Sequence, residues 1–146
     1  MVSVEEACVG RALEGMHFQN VVRRPDAVRG PEVRFWSVEV CLRVPGLRAS
    51  SRVSAHYASE FDDLVTSFRQ LAADWRGWDG ERVYESLEHN LRLVATHDGH
   101  VQLAVQLWQE PRWQAGWSAA AVIMLDPGEE MTRAADDVAA LLTSRP

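Results

Sequence analysis

The chemistry open to this chain rests on few side chains. Cys8 and Cys41 are its only thiols, and its imidazoles are His17, His56, His89, His97 and His100. Cys41 falls in a segment that alternates like a strand, and His56 falls in the next such segment. Both are out of phase with the apolar positions around them, so a Cys–His pair on an outer sheet face is one arrangement for nucleophilic chemistry. Nothing in the sequence orients the imidazole, and two reduced, partly buried thiols are the simpler reading. His97 and His100 flank Asp98-Gly99, a turn that would bring them close. Structural zinc takes four ligands, usually Cys or His, and no second pair has a matching spacing. Neither a metal nor a cofactor is expected. The carboxylates Glu60, Asp62, Asp63, Asp126, Glu129 and Glu130 look paired, but helix starts explain them as caps and dipole partners. Phosphate-loop, dinucleotide and serine-hydrolase motifs do not occur. The chain is therefore not expected to be an enzyme.

Recognition is the better prospect. Ala73-Asp74-Trp75-Arg76-Gly77-Trp78-Asp79-Gly80-Glu81 crowds two indoles, two glycines and alternating charges into one short stretch. Trp carries large contact area and a polar N–H, which suits binding hot spots. Trp75 continues a helical stripe, so Trp78 and Asp79 are the candidate partner-binding residues here. The rival reading makes both indoles plugs at the open end of the core. Trp108 and Trp113, with Trp117 beside them, cluster about the last hairpin and are further candidates. With Trp78 they could line an aromatic groove for a small ligand, the alternative being ordinary packing within a hairpin.

These residues need a frame. The spacing predicts a helix over Glu60–Trp75, with Ser59 as N-cap and Phe61, Leu64, Val65, Phe68, Leu71, Ala72 and Trp75 as its apolar stripe. A second helix is predicted over Pro127–Thr143, capped by Asp126, with Glu129 completing the cap and Arg145-Pro146 following its end. Its stripe is Met131, Ala134, Ala135, Val138, Leu141 and Leu142. Alternation marks strands from Trp36 to Val44, Leu47 to Tyr57, Leu91 to Ala95, Val101 to Leu107 and Trp117 to Leu125. Pro45-Gly46 and Asp98-Gly99 are turn signals. One more strand is expected near the start, from either Cys8–Leu13 or Phe18–Val22, while Arg24–Pro31 reads as a loop.

A shift of 70 residues carries the first stripe onto the second, Phe61 to Met131 through Ala72 to Leu142. A hairpin precedes each helix, so an internal duplication is expected, with half-repeats at about 8–77 and 85–143. The fold class is α+β: a single domain over 1–146, with a mainly antiparallel sheet of about six strands and two amphipathic helices on one face.

Composition narrows the function. Hydrophobic residues make up 47% of the 146, enough for a core. The net charge of −6 argues against nucleic acid, whose phosphates reward a basic face, and suits a basic protein partner. All fifteen basic residues are Arg, which reflects GC-rich codons rather than function. No apolar run is long enough for a membrane span and the start lacks a signal-peptide pattern, so a cytoplasmic location is expected.

The Phe35-Trp36-x-Val38 strand, the Val44-Pro45-Gly46-Leu47 turn, the Ala72–Gly80 stretch, Gly99-His100-Val101 and Leu125-Asp126-Pro127-Gly128-Glu129 resemble a family of small actinobacterial proteins of unknown function. The likeness covers roughly residues 30 to 142, and Trp-Arg-Gly-Trp-Asp-Gly is its most specific piece. In outline the layout is also similar to immunity proteins of the WapI type, which are small acidic α+β proteins that neutralise a toxin. That resemblance implies a protein-binding module whose partner is a basic toxin domain. It carries no catalytic residue. A small-ligand binder and a homodimer are the alternatives.

Overall fold

In the computed structural model, residues 5–26, 30–56 and 58–143 are described, with side chains over 5–24, 36–56 and 58–143. Tyr57, Arg145 and Pro146 lie outside them. The described elements are β1 (Glu6–Arg11), β2 (Glu14–Asp26), β3 (Gly30–Val44), β4 (Leu47–Ser54), α1 (Asp62–Ala73), β5 (Arg82–Glu85), β6 (Leu91–His97), β7 (Val101–Trp108), β8 (Ser118–Leu125) and α2 (Glu129–Thr143). The strands form two antiparallel sheets of four, ordered β1-β2-β3-β4 and β5-β6-β7-β8. Each half thus runs four strands and then a helix. This corrects the expected single sheet of about six strands: alternation locates strands but says nothing about which of them pair.

Both candidate first strands form, and they pair with each other, Cys8 opposite His17 and Val9 opposite Met16. Much of the expected loop at Arg24–Pro31 is also strand, since β2 continues to Asp26 and β3 starts at Gly30. The irregularity that hid β2 is a bulge. Asn20 adopts a left-handed φ of 53° where the register slips between Gln19 and Val22, a conformation that Asn tolerates better than most residues. β5 escaped notice because four residues carry little pattern.

The helices follow their stripes but are shorter than expected. The N-cap of α1 is Phe61, with no side-chain cap. Ser59 contributes only its carbonyl, to the Asp62 amide, and Asp63 Oδ1 accepts from the Leu64 amide. At α2 the carboxylate that reaches back is Glu130, whose Oε1 accepts from the Asp126 amide, rather than Glu129. Trp75 lies beyond the end of α1 and is 50% exposed, so it does not belong to the buried stripe.

One apolar interior serves both halves. It takes Val9, Phe18, Val40 and Leu42 from the first sheet, Leu93, Leu103, Val105 and Ile123 from the second, and Phe68, Met131 and Val138 from the helices. The helices pack on each other, and α2 lies on β1 and β2. Phe68 of α1 meets Phe18 of β2 edge-on at 6.1 Å. Arg23 of β2 stacks on Trp36 at 4.2 Å and donates to the carbonyl of Leu141, which ties the end of α2 to the first sheet. β4 approaches β7, and β8 approaches β1 and β2.

Two contacts fix how the sheets meet. Gly10 has φ 97°, and a Cβ built there would lie 2.9 Å from both the Glu14 carbonyl oxygen and Ile123 Cγ2. Only glycine lets β1 come so close to β8. Behind the β5–β6 turn, the Ser86 hydroxyl accepts from the amides of Asn90 and Leu91 and donates to Asn90 Oδ1. Asn90 Nδ2 then donates across the sheets to the Arg52 carbonyl at 2.9 Å. Asn90 is 4% exposed, so these groups have little access to water as a substitute. Asn90→Ala is expected to lower unfolding free energy by about 2 kcal/mol, the scale for stranding buried polar groups. Gly10→Ala is expected to cost a similar or larger amount through strain and overpacking. Urea denaturation curves of the two variants would check both values.

Candidate functional site

The second sheet has one dry face and one wet face. Leu91, Leu93, Ala95, Leu103, Val105, Leu107 and Ile123 point inward. On the outer face, Val83 pairs with Val94, Val94 with Ala104, and Ala104 with Val122. These four residues form one apolar row across all four strands. Met124, two residues along β8 from Val122, extends it. Val83, Val122 and Met124 are 53%, 59% and 51% exposed, so the row faces solvent. An outer sheet face ordinarily alternates to polar residues. A continuous apolar row there marks a candidate contact surface.

Two of the four expected indoles border this face. Trp108 ends β7 on its outer side, opposite Ser118. Trp113, 65% exposed, packs on the His89 ring at 5.1 Å. His89 Nδ1 bonds Glu85 Oε1 at 2.9 Å, and Arg112 Nε bridges to the same oxygen at 3.2 Å. Glu85 belongs to the outer face of β5, so this cluster anchors the loop that carries Trp113. The His89 bond, together with the charges of Arg112 and His89, holds the Glu85 carboxyl below its ordinary range.

Trp78 and Asp79 lie elsewhere. Trp78 meets His97 at 5.1 Å, at the far end of β6 from Asn90 and Trp108. Seven strand residues separate these ends by roughly 20 Å. The indoles therefore do not line a common groove. Trp78 is half-buried, its Nε1 is buried without a protein partner, and the Arg82 guanidinium stacks on its ring at 4.6 Å. Trp75 is the more exposed of the two indoles, the reverse of the expectation. Asp79 is exposed.

Most of the histidines, and both cysteines, have structural partners. His97 Nε2 donates to the Trp75 carbonyl at 2.9 Å while Nδ1 accepts from the Gly99 amide, so its ring clasps the hairpin to the end of α1. His100 is exposed in the turn. His56 Nδ1 accepts from the Ala58 and Ser59 amides and is not paired with Cys41. Instead, Cys8, His17, Cys41 and Ser50 form a cross-strand row on the outer face of the first sheet. This row was invisible in the sequence because the β1–β2 and β2–β3 registers were unknown. His17 spends its ring nitrogens on Glu6 Oε1, at 2.6 Å, and the Ala12 carbonyl. Cys41 donates to Glu39 Oε1 and accepts from Gln19 Nε2, both at 3.3 Å. Two strand spacings, roughly 10 Å, part the cysteines, too far for a disulfide. Among the described residues, no group of three or more His, Cys, Asp or Glu is placed to hold a metal ion.

Burial raises the Cys8 thiol above its ordinary range, with the Glu6 charge adding to the effect. Cys41 is pushed up to about 11, chiefly by burial and then by its bond to Glu39 and that carboxylate's charge, with Arg43 opposing. Neither thiol has the depressed pKa of a nucleophile.

The chain is thus an α+β protein of two antiparallel meanders under a pair of helices, with an apolar outer face on the second meander. It belongs to the family of unknown function DUF6228, whose model matches residues 16–145. No curated protein and no solved structure matches it.

In a Cys8→Ser background, iodoacetamide is expected to alkylate Cys41 slowly at pH 8, where only about a thousandth of a thiol with so high a pKa is ionised. The rate should still be climbing at pH 10. Glu39→Gln removes the carboxylate charge and should speed the reaction several-fold at pH 8. A rate at pH 8 equal to that of an unhindered thiol would contradict the assignment.

Proposed function

We propose that this protein is a non-enzymatic module that binds a protein partner through the outer face of β5–β8. The observation that carries this reading is the exposed row Val83–Val94–Ala104–Val122 with Met124 beside it. Interfaces combine an apolar centre with aromatic residues that bury well. Trp108 lies on the same face four residues along β7 from Ala104, beyond the intervening Gln106, and Trp113 and Trp117, 65% and 38% exposed, follow on the next loop. Glu85, Arg92 and Gln106 supply a polar border on the same face. The raised thiols, and the engagement of His56 and His97 by backbone groups, favour a binding role over catalysis.

The net charge of −6 favours a basic partner, because opposite charge speeds encounter and suppresses wrong pairings. Within the binding class, an immunity protein that neutralises a basic toxin domain in the cytoplasm is the most concrete form. The outline likeness to WapI-type immunity proteins points the same way.

The test is capture by tagged protein from a lysate of the source organism. A stoichiometric basic partner is expected, lost with Val122→Asp or Trp113→Ala and kept with Trp78→Ala. Both lost-contact positions are solvent-facing, so thermal melts should move little. Co-expression should also rescue growth if the partner alone is toxic. Capture that survives Val122→Asp would move the interface off this face. If the wild type sediments as a dimer and Val122→Asp as a monomer, the face joins two copies of the chain instead.

A further inference from the structure

The helices cover the first sheet more fully than the second. α2 lies on β1 and β2, and Phe68 of α1 leans onto Phe18 of β2. A cleft of about 310 Å³ is left between α1 and the β5 edge of the second sheet. Its floor is Leu93, Ala95 and Leu103, its roof includes Phe68 and Leu71, and Arg82, Val83 and Tyr84 form the β5 wall. Ala95 is part of the cause. It sits between Arg82 and Leu103 in cross-strand register, where a larger residue would fill the space. The volume falls at the small end of ligand sites.

We infer that this cleft binds a neutral, mainly apolar small molecule that carries a hydrogen-bond acceptor for the Tyr84 hydroxyl. The apolar floor and roof select the body of the ligand. The head is selected by charge. Arg82 is already matched by Asp74, NH1 to Oδ2 at 2.6 Å, and stacked on Trp78. Asp63 is close enough to act on Tyr84 and, after burial, helps push its phenol upward. That phenol therefore keeps its proton and can donate, and it makes no hydrogen bond within the described residues. A carboxylate head would meet the Asp63 charge, and among the described residues that line the cleft the one cation, Arg82, is already matched, whereas a ketone or ester oxygen accepts from Tyr84 without that penalty. Trp78 thus serves this cleft, by holding Arg82 in the wall, rather than the outer face.

The full chain would be titrated with the neutral fluorophore N-phenyl-1-naphthylamine. Saturable binding of one equivalent is expected, displaced by 2-decanone at least tenfold more readily than by decanoate at pH 8. Ala95→Leu should fill the floor and weaken the probe at least tenfold. Ser67→Phe should narrow the mouth from the partly exposed side of α1 and decide the matter if Ala95→Leu does not fold. Tyr84→Phe should weaken 2-decanone about fivefold, the scale of one hydrogen bond, and leave the probe unchanged. Val122→Asp, on the opposite face of the sheet, should alter none of these values, which separates this site from the protein-binding face. Absence of saturable binding, equal binding by a folded Ala95→Leu or Ser67→Phe, or equal displacement by decanoate would overturn the inference.

Discussion

Neither meander can cover its own apolar face, and the rest of the architecture answers that constraint. A four-stranded sheet with one dry side needs a second layer. Here the layer is shared: residues of both sheets and both helices form one interior. Gly10 against Ile123, and Asn90 against the Arg52 carbonyl, set the approach of the two sheets. Both contacts are intolerant, one because it lacks room and the other because it buries polar atoms.

The sharing is unequal, and the inequality shapes the surface. The helices favour the first sheet, whose outer side is occupied by the Glu6–His17 and Gln19–Glu39–Cys41 bonds. The second sheet is left with an open edge on its inner side and an apolar row on its outer side. The cleft and the row are thus separate results of one arrangement. They meet at the same short β5, where Arg82 and Tyr84 alternate with the outward Val83, which borders both.

How far the sequence discloses this depends on the length of each pattern. Both helices were legible within a few residues, because the stripes Leu64–Leu71 and Met131–Leu142 are long and regular. β3, β4, β6, β7 and β8 were legible by alternation. β1 and β2 were blurred by the bulge at Asn20, and β5 by its brevity. Division into two sheets was hidden, because pairing depends on contacts far apart in the chain. The same gap explains the site. Val83, Val94, Ala104 and Val122 are unremarkable singly and become a row only once register is known. Trp113 was visible as an aromatic candidate, whereas Trp75 and Trp78 exchanged their expected roles because α1 ends at Ala73, two residues early.

The last helix rests on the first strands, and Arg23 reaches the carbonyl of Leu141 across 118 residues of chain. During synthesis, β1 and β2 leave the ribosome long before the helix that covers them. At about ten residues per second the wait is roughly ten seconds. Through that interval Phe18, Met16 and Val9 have no lasting cover, and the contacts that close over them are among the slowest class to form. Solubility of the nascent first meander then depends on cellular holding factors or on transient burial against α1, so expression at low temperature or with added chaperone capacity bears directly on yield.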